Sequence, residues 1–119
     1  MAEFVLALIE NKTLEELCLS TNKINNAGLS TLSGFLEYNS SIKVFDISRN
    51  NFSDTGFVEF AKHLAFNKGI ESLNISRNKD VSDEIGLKEL ASALSTNSSI
   101  SVMDLTGLKI RKPCVVQYF

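Results

Sequence analysis

The 119-residue chain contains no tryptophan, one proline, one histidine and two cysteines. Each scarcity narrows what it can do. Cys18 and Cys114 stand alone, in no metal-ligand spacing and unable to staple either end, which points to a reduced, cytoplasmic protein. The one histidine, His63, falls one place before a core leucine, as a half-buried residue on a helix flank. No Ser/His/Asp or Cys/His arrangement can be built around it, and no glycine-rich phosphate loop is present. These absences predict a protein that is not an enzyme and takes no cofactor or metal. A net charge of −2 supplies no footprint for nucleic acid or for an anionic membrane. No apolar run has the length of a membrane span, and the opening MAEFVLALIE lacks the basic region and small-residue cleavage site of a secretory signal. The partners left to consider are other proteins.

What the chain has in abundance is one pattern, copied. Residues 42–67 read IKVFDISRNNFSDTGFVEFAKHLAFN. Ile42, Phe45 and Ile47 lead into Asn50 and Phe52 with the two-residue rhythm of a strand. After the polar turn Ser53-Asp54-Thr55-Gly56, the residues Phe57, Phe60 and Leu64 follow the rhythm of a helix. Moved back by 28 positions, the pattern lands on Leu14, Leu17, Leu19, Asn22, Ile24, Gly28, Leu29, Leu32, Leu36 and Asn39. Moved forward by 28, it lands on Ile70, Leu73, Ile75 and Asn78, and two extra residues then precede Gly86, Leu87, Leu90, Leu94 and Asn97. Ile100, Met103, Leu105, Leu108 and Ile110 begin another copy, and Phe4, Leu8 and Asn11 close an earlier one. A period of 28 to 30 identifies a repeat protein. We expect one domain over residues 1–119, with a partial repeat 3–13, complete repeats 14–41, 42–69 and 70–99, and a partial repeat 100–119.

Within each copy the polar positions have predicted tasks. Asn22, Asn50 and Asn78 come where strands end, and a buried amide there can pair with backbone groups that have no ladder partner. Asn25 or Asn26 is expected to cap the first complete helix, and Asn39 to leave it in the left-handed conformation. The insertion NKDVSDEIG gathers Asp80, Asp83 and Glu84. It lacks the spacing and turn glycine of an EF-hand, so a solvated loop with Ser82 or Asp83 capping the next helix is expected. Five N-x-Ser/Thr matches occur, at Asn11, Asn39, Asn51, Asn74 and Asn97. Three of them share one repeat position at a helix exit, so the repeat accounts for them without glycosylation. Leu108 ends the asparagine column. Beyond Pro113, the residues Val115, Val116, Tyr118 and Phe119 would need a further layer to cover them. A segment of a longer solenoid is therefore expected, monomeric or associating end to end.

The phrases LEELCLSTNKI, IKVFDISRNNF and IESLNISRNKD resemble the L-x-x-L-x-L-x-x-N-x-I segment of leucine-rich repeats. The helical half, G-L-x-x-L-x-x-x-L-x-x-N, together with the length near 28, is similar to the ribonuclease-inhibitor subclass. This resemblance implies an α/β fold, a right-handed solenoid with a parallel sheet on the concave side and helices on the convex side. The sequence asks for the same arrangement. Strand, turn, helix and next strand in one direction require right-handed crossovers and parallel pairing, and no unit can bury its apolar face without a neighbour.

Function is then expected on the concave face, where outward strand positions of successive repeats form columns. One column holds Glu16, Val44, Ser72 and Val102, the next Cys18, Asp46, Asn74 and Asp104, and a third Ser20, Ser48, Ser76 and Thr106. Just past the strands come Thr21, Arg49, Arg77 and Gly107. Arginine is enriched in binding hot spots, so Arg49 and Arg77 are the preferred contacts. A protein-interaction module whose partner spans Glu16, Val44, Asp46, Arg49, Ser72, Asn74, Arg77, Val102 and Asp104 is the leading reading. The alternatives are a regulatory domain that stimulates a partner GTPase, as the similar Ran GTPase-activating proteins do, and a purely structural segment of a scaffold.

Overall fold

The structure is a computed structural model that describes residues 7–8 and 10–110. Strands β1 (Glu16–Cys18), β2 (Val44–Asp46), β3 (Ser72–Asn74) and β4 (Val102–Asp104) alternate with helices α1 (Asn26–Leu36), α2 (Asp54–Leu64) and α3 (Gly86–Thr96). The strands pair in parallel in sequence order, with Leu17, Phe45, Leu73 and Met103 in one register file. Consecutive helices pack side by side behind them. The result is the expected α/β right-handed solenoid, with the sheet on its concave side and the helices on its convex side.

The two rhythms of the sequence meet in one core. Phe45 and Leu73 point inward from the strands, and Leu29, Leu32, Leu36, Phe57, Phe60, Leu64, Leu87 and Leu90 point inward from the helices; all are buried. Burying each large side chain contributes roughly 1.5–3 kcal/mol, but only because the next repeat covers it. The phenylalanines of the second repeat form the middle of the core. Phe57 lies 6.3 Å from Phe52 and 5.7 Å from Phe60, whose ring is 6.3 Å from Phe45. Such ring pairs add about 0.5–1.5 kcal/mol beyond their area.

Polar side chains tie repeat to repeat at both ends of the strands. Past the strands, Asn50 Oδ1 accepts the N–H groups of Asn22 and Ile24 in the preceding repeat, at 3.0 and 2.9 Å. Its Nδ2 donates to the carbonyls of Leu19, Ile47 and Ser48. Asn78 does the same one repeat on, accepting from Asn50 N–H and donating to the carbonyls of Ile47, Ile75 and Ser76. A second asparagine column closes the turns from helix to strand. The Oδ1 atoms of Asn11, Asn39, Asn67 and Asn97 each accept two N–H groups two and three residues ahead. Asn67 and Asn97 also donate Nδ2 back to carbonyls of the preceding repeat.

The helix starts are tied in a third way. Asn25 Oδ1 caps α1 through Gly28 N–H at 3.0 Å. Ser53 makes no side-chain bond to its own helix. Asn26 of the preceding repeat takes over, its Oδ1 accepting the N–H groups of Ser53 and Gly56 at 2.9 and 3.0 Å. Asp54 repeats the arrangement, accepting from the N–H and hydroxyl of Ser82. Both candidate asparagines are therefore caps, on successive helices.

Four expectations are corrected. Asn22 is exposed rather than buried, because among the described residues no earlier repeat lays backbone over it. Asn39 is not left-handed. It ends its helix by the side-chain turn just described, and the positive φ angles fall elsewhere. The insertion is not a solvated loop throughout, since Val81, Ser82 and Asp83 are buried. Val81 packs under Gly86, and Ser82 Oγ accepts Ile85 N–H at the start of α3. Ser48 and Ser76, expected to face solvent, are buried. The expectations for Phe4 and for Pro113 to Phe119 fall outside the described residues.

Candidate functional site

Because each strand has its neighbour at every position, the predicted columns are real files. Glu16, Val44, Ser72 and Val102 stand in one register, and Cys18, Asp46, Asn74 and Asp104 in the next. In the first file Val44 is 38% exposed and Val102 60% exposed, two apolar side chains facing solvent across the half-buried Ser72, with exposed Glu16 at the end.

The second file is partly committed to the backbone. Asp46, Asn74 and Asp104 each turn Oδ1 onto the N–H two residues ahead, at 2.9 Å. This ends the strand by an Asx turn and leaves the rest of the side chain for the concave face. Cys18 Sγ donates to Asp46 Oδ2 at 3.7 Å, and Cys18 is a free, exposed thiol. Ser48 Oγ donates to Ser20 Oγ at 2.9 Å, and both Ser48 and Ser76 are buried. The reach of the serine file as a binding surface is correspondingly small.

Past the strands the chain turns through the left-handed region, at Thr21 (φ 61°), Arg49 (55°), Arg77 (58°) and Gly107 (74°). The N–H groups of the first three donate to Ser48, Ser76 and Thr106 carbonyls in the next repeat. This geometry sets Arg49 and Arg77 on the exposed rim of the concave face. Arg77 is near enough to act on Asp104. The carboxyl of Asp104 is held below its ordinary value of 3.8 by hydrogen bonds from the Thr106 side chain and N–H, with the Arg77 charge adding to them. A Cβ on Gly107 would stand 3.2 Å from Arg77 Cγ, so the glycine leaves the guanidinium stem its space.

His63 sits on the convex side, as expected for a flank residue. Its Nδ1 lies 3.6 Å from Glu37 and its Nε2 3.5 Å from Glu59. Among the described residues no group of three or more His, Cys, Asp or Glu is arranged to hold a metal ion, and no helix is long and apolar enough to cross a membrane.

Two surfaces were missed by sequence reasoning. Tyr38 and Phe66 are 80% and 60% exposed beside an open hollow of about 460 Å³ that Glu37, Asn39, Ser40 and Lys68 complete. The signal was available, since both aromatics precede the asparagine of a helix exit, where Glu10 and Thr96 stand in the other copies. The other missed set is Lys23, Lys79 and Lys109, two places beyond the left-handed position in three of the four repeats (Asn51 stands there in the second), all exposed.

Comparison with known proteins gives a matching account. A family model described as Leucine Rich repeat matches residues 10–33 and 38–61. Comparison with curated proteins finds no match. Among solved structures, one described as leiomodin-1 actin-binding site 2 superposes with a TM-score of 0.77 at 24% identity. It covers 95% of this chain, which in turn spans 62% of that structure.

Proposed function

We propose that this leucine-rich-repeat solenoid, whose repeats are of the ribonuclease-inhibitor-like kind, is a protein-binding module that takes its partner across the concave face and performs no chemistry of its own. The 28-residue spacing between strand partners and helices of 11 residues support the subclass. The observation that carries the binding reading is the exposure of Val44 and Val102 on an otherwise polar sheet face, with Arg49 and Arg77 on the rim above them. Apolar contacts with arginine at their edge are the composition of an interface centre rather than of a solvated surface. The leiomodin structure supports this reading at the level of architecture, since it is described as an actin-binding site. A cytoplasmic location belongs to the same proposal and is supported by the exposed free thiol of Cys18.

The test is affinity capture from the source cell with wild type and with Val44→Ser/Val102→Ser, followed by titration of the identified partner. Losing two apolar anchors weakens binding by about tenfold or more. Equal affinity in the variant would move the site away from the sheet. Acceleration of GTP turnover by a captured GTPase would replace simple binding with regulation.

A further inference from the structure

We propose that the rim where the strands end is a docking track for an extended, acidic segment of the partner protein, with Lys23, Arg49, Arg77, Lys79 and Lys109 as its cations. The proposal rests on the reading of this domain as a protein-binding module and names the chemistry of what it binds. Among the described residues four other than glycine have positive φ, and three of them are Lys23, Arg49 and Arg77. Outside glycine that backbone region favours asparagine and aspartate, and it costs other residues roughly 1–2 kcal/mol. A long cation gains nothing for the backbone there. Gly107, at the position equivalent to Arg49 and Arg77, shows what the turn itself prefers. Residues kept in an unfavourable conformation point to a role for the side chain.

The cations are also available. None of the five makes an ion pair at salt-bridge distance with a described carboxylate, and Arg77 alone acts on one, through its longer-range pull on Asp104. All five are exposed, in a chain whose net charge is −2. Stacking places at least one in each of the four repeats. With strands about 4.8 Å apart, the line is roughly 15 Å long, the reach of about five residues of extended chain. Arginine pairs bidentately with carboxylates, which favours Asp and Glu side chains over a point-charge ligand. A nucleic acid fits less well. The cations occupy two narrow files two residues apart, and Asp46, Asp104 and Glu16 on the sheet face beside them would repel a broad polyanion.

The experiment is fluorescence anisotropy of the full chain with a labelled peptide of about twelve residues in which Glu alternates with Ser, long enough to overhang the rim. The probes beside it are the Gln/Ser peptide, a single-stranded oligonucleotide and phosphatidylserine vesicles. Binding of the Glu peptide and not of the Gln peptide is expected, weakening as salt rises from about 50 to about 300 mM, because rim charges are screened over that range. Arg49→Gln/Arg77→Gln and, independently, Lys79→Gln/Lys109→Gln should each lower the affinity by about tenfold. Circular dichroism establishes that each is folded, and either one decides if the other is not. No binding of the Glu peptide, undiminished binding by the folded variants, or tighter binding of the oligonucleotide or vesicles would overturn the proposal. Val44→Ser/Val102→Ser should leave peptide affinity unchanged. If that variant loses the captured partner while the rim variants retain it, the track is wrong and the concave site stands. If it captures the partner as wild type does, the concave reading fails, whatever the peptide shows.

Discussion

Asn50 stands one repeat beyond Asn22, and its side-chain oxygen accepts the Asn22 N–H at 3.0 Å. The same amide serves Ile24, Leu19, Ile47 and Ser48, so one residue satisfies backbone groups of two repeats. A buried donor or acceptor left without a partner costs about 1–3 kcal/mol. Asn50→Leu, although it copies Leu108 of the fourth repeat, should therefore destabilise the fold by about 4 kcal/mol in urea unfolding. Asn22→Leu, at an exposed position, should cost less than about 1 kcal/mol. Equal costs would mean that the column does not couple the repeats.

Gly34, late in α1, and Gly56, in the first turn of α2, should respond in opposite directions to alanine. A Cβ on Gly34 meets nothing within 4 Å. Gly34→Ala should stabilise by about 0.5–1 kcal/mol, since alanine is the better helix former and restricts the unfolded chain. A Cβ on Gly56 would collide with Asn26, reaching its Cα at 2.9 Å. Gly56→Ala should cost about 1–3 kcal/mol as the inter-repeat cap is pushed aside. Thermal unfolding distinguishes the two signs.

Arg49→Gly and Arg77→Gly separate the backbone from the side chain. Each relieves a left-handed strain of roughly 1–2 kcal/mol and returns about 0.4–1 kcal/mol of entropy to the unfolded chain. Stability should thus hold or rise by about 1 kcal/mol, while partner binding falls. A loss of stability in urea unfolding would show instead that these guanidinium groups hold the fold together.

Asp104 supplies the pH dependence. Its folded-state value lies below 3.8, first through the Thr106 side chain, then through Thr106 N–H and Arg77. A depressed carboxyl contributes stability that is present above its unfolded value and lost as pH falls through its folded value. The loss from this group is therefore expected only at pH below 3.8. Thr106→Val should move the carboxyl midpoint upward in an NMR titration. Arg77→Gln should move it less, with a shift that vanishes in high salt as surface charges are screened. A midpoint unmoved by Thr106→Val would remove the hydroxyl as the main cause.

Much of this was legible before any coordinates. The period of 28, the strand and helix halves, and the in-register columns follow from spacing alone, because a side chain's direction is set by the backbone rhythm it belongs to. His63 on a helix flank and Asn25 as a cap were legible for the same local reason. The roles of Asn26 and Asp54 were not, because each reaches across to the next helix start and no local pattern announces a partner 27 or 28 residues away.

The sequence by itself determined the repeat, the alternation of strand and helix, and which residues meet in each file, since these depend on periodicity and on the need of each unit for a neighbour. The tertiary structure decided which polar groups are spent and which remain. It bound one oxygen of each of Asp46, Asn74 and Asp104 to the backbone, buried Ser48, Ser76 and Val81, and put Lys23, Arg49 and Arg77 in a strained turn. The physical reason is that hydrogen-bond satisfaction and burial are properties of the stack, fixed only when one repeat's backbone lies against the next.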